Sequence, residues 1–571
     1  MAISLEKYIH LLGVNTLTGL LTYIGIAWGI AFLLILLLIF PLIELGIISP
    51  DALPGIIAFS ILAAFVAGVL ALFIPAKIKQ EDIEKNFPVF LAFLGSMTTA
   101  KTNYDEFFKT LAETEEYGEI SKEMKRLYHL AKDWKLGYAK ACKVVADTTP
   151  SKIFSDFLAR LAQVVEYGED ITFFFETQFR DIMRDMQTSY QEAVYKISSI
   201  ADLFSALFVS MAFLMAFAVM MPIFFPIDYT SIAIGSAIGF LAIDVLLVTL
   251  TRAAVPTDKL SNKFPDTCPE HTLAILATFI GILASILFFL AAWVLGLPPI
   301  LQVGLAAVPL IVPGILAYRA EKIIRRREES YIPFIRTLGD LTSIREGAIT
   351  PVLKRLRRHS YPGLNEAISR LYKRLSITRN VHKAFDLFSK EIGSALISKF
   401  NELFVKALYA GADPRKTGAI IGDQMHAILE SRRLRLQVAA GARGTLYGSF
   451  FGVALGVLLA VKSLAHVFSL FTSVLAQAGE SVAGYFTFLN FNVNLYPLID
   501  IVVYLFAVEA AVLAVIIKMI DGGLMSDATR HFVILTIGLV IVYYVTDWAI
   551  SFLVPAAGNA AQIEVPGVAS P

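Results

Sequence analysis

The chain has 571 residues, 56% of them hydrophobic and only 17% charged, with a formal net charge of +1. A soluble protein of this length carries closer to a quarter charged residues, so the composition argues against a purely soluble architecture; the surplus apolar residues fall in runs long enough to cross a bilayer. Two cysteines, Cys142 and Cys268, argue against a disulfide framework, and both fall in segments placed on the reducing side of the membrane.

From the N-terminus, Lys7 precedes an apolar run starting near Thr22. The run is too long for a secretory signal and is closed by no A-x-A-like site, so it is read as a first membrane helix. With roughly 20 apolar residues needed per crossing, about nine transmembrane helices are expected: Thr22–Leu45, Leu53–Ile74, Ala201–Phe225, Ser231–Leu250, Thr272–Leu295, Ile300–Tyr318, Thr445–Phe468, Leu495–Lys518 and Phe532–Val554. Residues 1–75 then hold spans one and two, and 76–200 a first polar segment. Residues 201–318 hold spans three to six with a short loop at 251–271, and 319–440 a second polar segment. Residues 441–554 hold spans seven to nine, and 555–571 a tail.

Lysine and arginine orient these spans. The links near Ile47–Asp51, Pro226–Thr230, Gly296–Pro298 and Thr472–Tyr496 carry neither residue, nor does the tail after Pro555. The opposite links do: Arg252, Lys259 and Lys263 in one, Lys518 and Arg530 in another. One topology satisfies every loop, with the N-terminus and both polar segments cytoplasmic and the C-terminus outside the cell membrane. Lys462, late in span seven, is expected to snorkel to the outer interface.

Both polar segments read as helical bundles. Apolar residues recur at three- and four-residue spacing in Phe87, Val89, Phe90, Phe93 and Leu94, and in Phe157, Leu158, Leu161, Val164 and Val165. Thr149 before Pro150, Asp413 before Pro414, and Asn380 are expected N-caps. Residues 87–96 resemble residues 332–340, and Tyr167-Gly168-Glu169-Asp170 matches Ala410-Gly411-Ala412-Asp413. The fold class expected is therefore all-α: a polytopic membrane protein whose two cytoplasmic helical bundles are duplicates, each flanked by pairs of spans.

The two copies differ in charge. Ala76–Ile200 holds 17 Lys+Arg against 20 Asp+Glu, whereas Arg319–Ala440 holds 24 against 12, a net +12. Clusters Arg325–Arg327 and Arg432, Arg433 and Arg435 adjoin spans and suit positive-inside anchoring as well as a partner. Lys354, Arg355, Arg357 and Arg358 lie far from any span and favour a surface for an acidic partner or anionic lipid. Nucleic acid is not expected, since no binding module is recognised.

No Gly-Lys dipeptide occurs, so there is no phosphate-cradling Walker loop, and HExxH is absent. Cys268 with His271 is too small a set for a metal site. No nucleophile–base pairing stands out, so catalytic, cofactor and metal sites are all expected to be absent and any energy source to sit on another protein. Asp244, Asp500, Glu509 and Asp547 fall inside expected spans, where a charge costs about 2.5–3.5 kcal/mol. Asp244 and Glu509 lie deepest. They are candidates for an internal structural pair or for a polar groove facing a partner helix.

The stretch Phe87–Thr99, then Leu136-Gly137-Tyr138, Thr148-Thr149-Pro150-Ser151, Phe157–Ala162 and Gly168–Asp170 resembles the type II secretion F domain. This is the inner-membrane platform family of type IV pili, type II secretion systems and archaella. Ile332–Leu341 through Gly411–Asp413 to Arg435 looks like a second copy, lacking the Thr-Thr-Pro-Ser element and carrying Glu391-Ile392-Gly393-Ser394 nearby. Nine spans and this length resemble the archaeal form. The resemblance implies a non-enzymatic platform, as a homodimer, with a hexameric cytoplasmic secretion ATPase docked beneath it. It would lift pilin-like subunits from the lipid into a filament and, for an archaellum, turn it. The platform of an adhesive pilus is an alternative. A transporter or channel is another, suggested by the intramembrane acids.

Overall fold

The computed structural model describes residues 73–553 except 101–103, 115, 170, 225–228, 256–259, 262–268, 346–347, 379 and 479–495. Expected span one, nearly all of span two, Cys268 and the tail lie outside the described residues. The described chain is helical, with one isolated bridge between Ser261 and Ser394. It divides into two compact units. One comprises residues up to Met183 with Lys406–Ile420, the other Arg184–Val405 with Ile421 onward.

The first unit is built from α1 (Phe73–Met97), α2 (Tyr104–Glu113), α3 (Glu119–Lys132), α4 (Tyr138–Thr148) and α5 (Lys152–Tyr167). The aromatic stripe expected from the sequence forms its core: Phe87, Phe90, Phe93 and Phe157 are at most 1% exposed. The ring of Phe87 meets those of Phe154 and Phe157 edge-on at 5.8 and 5.6 Å, an arrangement that ring quadrupoles favour. The helices run up and down. The α3 start is held near the α1 start by Glu119 N donating to Asp82 Oδ2 at 2.8 Å, and the α3 end is held to α2 by Lys132–Asp105 at 2.7 Å. Thr149 and Pro150 do not open α5 as expected. Ser151 is its N-cap, accepting from Phe154 N, while Thr149 follows the end of α4 in extended conformation. A short hydroxyl two residues farther along satisfies the orphan amide, so the cap moves past the proline.

The second unit holds the long apolar helices: most of α6 (Ile171–Phe224), then α7 (Tyr229–Ala254), α8 (Pro269–Val294), α9 (Pro299–Ala307) and α10 (Ile311–Ile344). Small helices α11 (Ile349–Leu356), α12 (Asn365–Thr378) and α13 (Val381–Ile392) follow. They lead into α14 (Ala395–Tyr409), α15 (Pro414–Ala478), α16 (Tyr496–Asp521) and α17 (Ala528–Leu553). Among the described residues, six stretches are long and apolar enough to span a membrane: Met183–Phe217, Glu270–Val294, Pro299–Ile344, Pro414–Leu470, Leu498–Asp521 and Met525–Phe552. They contain the cores of expected spans three and five to nine; expected span four falls within α7. Their shared core centres on Phe208, whose ring lies 6.0–6.3 Å from those of Phe240, Phe450 and Phe506. α8 is the least enclosed, with 11% of its apolar window buried.

Asn380 caps α13 by accepting from Lys383 N at 3.0 Å, and Asp413 opens α15 by accepting from Arg415 N at 2.9 Å. Two successive runs of helices also agree in length: α2 to α5 have 10, 14, 11 and 16 residues, α11 to α14 have 8, 14, 12 and 15. Each run follows a helix with an internal proline, Pro88 or Pro333. Ser394 accepts from Ile397 N and donates to Glu328 of α10, as Ser151 accepts from Phe154 N and donates to Glu84 of α1.

Candidate functional site

The seven cations singled out from the sequence separate into two groups. On α11, Ile349, Val352, Leu353 and Leu356 are buried, which turns Lys354 and Arg355 outward. Arg357 and Arg358, just past its end, are also exposed. Among the described residues none of these four is ion-paired, and Arg357 lies 5.0 Å from the centroid of the Tyr372 ring. Unneutralised cations on an amphipathic turn form a field that an acidic surface can meet without first breaking internal pairs. Arg433 is exposed but pairs with Glu329 at 2.9 Å.

Arg432 and Arg435 do not present charge to a partner. Arg432 is 7% exposed and meets the fully buried Glu328 at 2.6 Å. Arg435 is 4% exposed and donates to the carbonyls of Ile520 and Met519 at 2.9 and 2.7 Å. Both sit on α15 where it packs against other helices, so their charge is spent inside the fold.

The two deepest acids come together. Asp244 on α7 and Glu509 on α16 are 4% and 3% exposed, and their side chains hydrogen bond to each other. An ionised carboxylate can only accept, so this contact has a carboxyl of one partner donating to the other. They form a buried pair between two helices. Lys462 does not snorkel. It is 6% exposed, donates to Asp547 at 2.7 Å and to the Tyr543 carbonyl at 2.8 Å, and lies over the Tyr543 ring. An anion on α17 pairs with the ammonium inside the bundle, so the side chain does not need to extend to an interface.

A third charged cluster was not legible in the sequence, where Lys518 and Arg530 read only as loop charges. Lys518 of α16 reaches Glu321 of α10 at 2.8 Å and Asp527 at 3.1 Å. Arg530 binds Asp527 through two nitrogens at 2.9 Å. Arg443 of α15 meets Asp521 at 2.9 Å, and Tyr447 meets His531 at 2.5 Å. Lys518, Asp527 and His531 are at most 2% exposed. Among the described residues no group of three or more His, Cys, Asp or Glu is arranged to hold a metal ion.

The family model for protein F of the type II secretion system matches residues 90–220, from the middle of α1 into the membrane-crossing part of α6. Residues 90–220 are therefore similar to the type II secretion F domain. Over most of its length it is also similar to two curated archaeal proteins, each named flagella accessory protein J. That of Methanocaldococcus jannaschii is 27% identical over 490 residues, covering 83% of this chain and 86% of the relative. That of Methanococcus voltae is 25% identical over 509 residues, covering 86% and 90%. An uncharacterized M. jannaschii protein is 22% identical over 383 residues, covering 62% and 64%. No solved structure matches. The F-domain match therefore covers α2 to α5 and the end of α1, while the similarity to the archaeal proteins extends through the second, basic segment.

Proposed function

We propose that this chain is the membrane platform of an archaellum, the archaeal type IV pilus-like filament machine, coupling a cytoplasmic secretion ATPase to filament assembly and rotation. The single observation that carries this reading is the similarity to flagella accessory protein J over 83–86% of the chain, which joins the F domain to a multi-span membrane protein. The two helical segments are taken as diverged copies of one unit facing the cytoplasm, and the platform as a homodimer in contact with lipid and pilin-like subunits. The unpaired cations Lys354, Arg355, Arg357 and Arg358 are the docking face for the ATPase, an acidic partner that supplies the energy this chain has no motif to extract.

The test is co-purification of the ATPase with the full-length platform from membranes. Reversing Arg355, Arg357 and Arg358 to Glu is expected to weaken capture at least tenfold at low salt, with the difference shrinking as salt rises. Unchanged capture at every salt concentration would remove the docking assignment. Deletion of the gene with normal swimming retained, but loss of surface attachment, would replace the archaellum by an adhesive pilus.

A further inference from the structure

Two helices of the second unit run without a break from the basic helical segment into apolar, membrane-crossing stretches. α10 covers Ile311–Ile344, and the part of α15 in this unit runs from Ile421 to Ala478. An uninterrupted helix is stiff along its axis and carries displacement from one end to the other. Such displacement moves the membrane bundle only if the helices are locked to it, and the structure contains that lock.

It is made of charge where apolar packing would be expected. Glu321 of α10 receives Lys518 of α16 and also accepts from Leu524 N at 3.2 Å, in the link between α16 and α17. Arg435 of α15 caps the carbonyl end of α16 at Met519 and Ile520, and Arg443 of α15 holds Asp521. Asp527 is shared by Lys518 and Arg530 and so ties α17 to α16. One link of the chain, from Lys518 to Arg530, is thus gripped by α10 and α15 together.

The link is built for this grip. Gly522 and Gly523 have φ of 73° and 87°, a region open to glycine. A Cβ on Gly523 would stand 2.4 Å from a carboxylate oxygen of Glu321, and one on Gly522 2.9 Å from the guanidinium carbon of Arg435. Glycine lets the backbone come into contact with both charges. Farther along α10 and α15, Arg432–Glu328 and Arg433–Glu329 join the same two helices again. Ion pairs out of water hold one geometry strictly, because any slippage leaves a buried charge unpaired.

We propose that α10, the Ile421–Ala478 part of α15 and the α16–α17 hairpin move as one rigid body, and that the Glu321–Lys518–Asp527 junction with Arg435 is the element that transmits displacement of the basic segment into the membrane. This rests on the platform reading above.

Two experiments on the full-length chain in membranes with its ATPase test it. In the first, Glu321→Leu is combined with Lys518→Met, an apolar replacement that leaves no unpaired charge between these two residues; a second variant, Gly523→Ala, displaces Glu321 without removing it. Expected are unchanged ATPase capture and membrane yield with filament output reduced at least tenfold. Full output from both variants, with capture intact, overturns the proposal; loss of capture by the Arg355, Arg357 and Arg358 reversal in parallel keeps the platform reading separate. In the second, Glu329→Cys and Arg433→Cys are bridged by a short bis-maleimide in a background lacking Cys142 and Cys268. A rigid body tolerates the bridge, so output stays within twofold. Arrest of the filament by the bridge, reversed with a cleavable linker, shows that α10 must slide on α15 and overturns the proposal.

Discussion

At the scale of single residues, burial separates cations that look alike in the sequence. Arg432 and Arg433 are neighbours, yet one is buried against Glu328 and the other sits at the surface with Glu329. Removing one partner of a buried pair strands the other charge. Arg432→Ala is expected to cost about 3–5 kcal/mol, and the double change Glu328→Leu with Arg432→Met to be close to neutral. Arg433→Ala is expected to cost less than about 1 kcal/mol. Thermal unfolding in detergent, compared within one set of variants, checks all three. Cys142 is fully buried, and desolvation pushes its thiol up to about 12. Against an ordinary thiol near 8.5, that leaves on the order of a thousandfold less thiolate at pH 8. In a Cys268→Ser background, maleimide labelling of the native protein should therefore be slow and become fast on unfolding; rapid labelling of that native variant would contradict the burial.

At the scale of elements, caps and inter-helix pairs decide how well the small bundle holds. Ser394 caps α14 and donates to Glu328 at 2.6 Å, so Ser394→Ala is expected to cost about 1–2 kcal/mol. Ser151→Ala, whose bond to Glu84 is a longer 3.4 Å, should cost less. Glu391 of α13 shows a second kind of tie. Burial by itself would raise its pKa, but hydrogen bonds from Arg374 and Arg370 of α12 outweigh burial and hold the carboxyl below the usual range. A folded value below the unfolded one means the contribution is fully present above the unfolded value, about 4.3, and is lost as pH falls through the folded value. Glu391→Gln should accordingly be less stable than the parent at pH 7 and equal to it in strong acid. A stability gap that widened on acidification would have the wrong sign. The sequence showed these helices through their apolar spacing and the Asn380 and Asp413 caps. It mislocated the α5 cap, because a Thr-Thr-Pro-Ser run offers three hydroxyls, and where α4 ends decides which of them is left to cap α5.

At the scale of the whole molecule, loop charge and hydropathy carry the orientation, and a topology experiment is the direct check. A cysteine placed in the 555–571 tail is expected to react with an impermeant maleimide on intact cells. Lys354→Cys is expected to react only after permeabilisation, the opposite pattern inverting the platform. Composition, the spacing of apolar residues and the bias of Lys and Arg are properties of short stretches. The sequence by itself therefore determined the helical class, the spans it shares with the structure and the basic character of residues 319–440. Which charges are free is not a local property. Asp244 meets Glu509 across 265 residues of chain, and Glu321 meets Lys518 across 197. Only the packing of α7, α10, α15, α16 and α17 decided that these ions pair with one another inside the fold, while those of α11 remain at the surface. The physical reason is desolvation. In the low-dielectric interior an ion is tolerated only beside its partner, and partners so distant in the chain become neighbours only when the helices assemble.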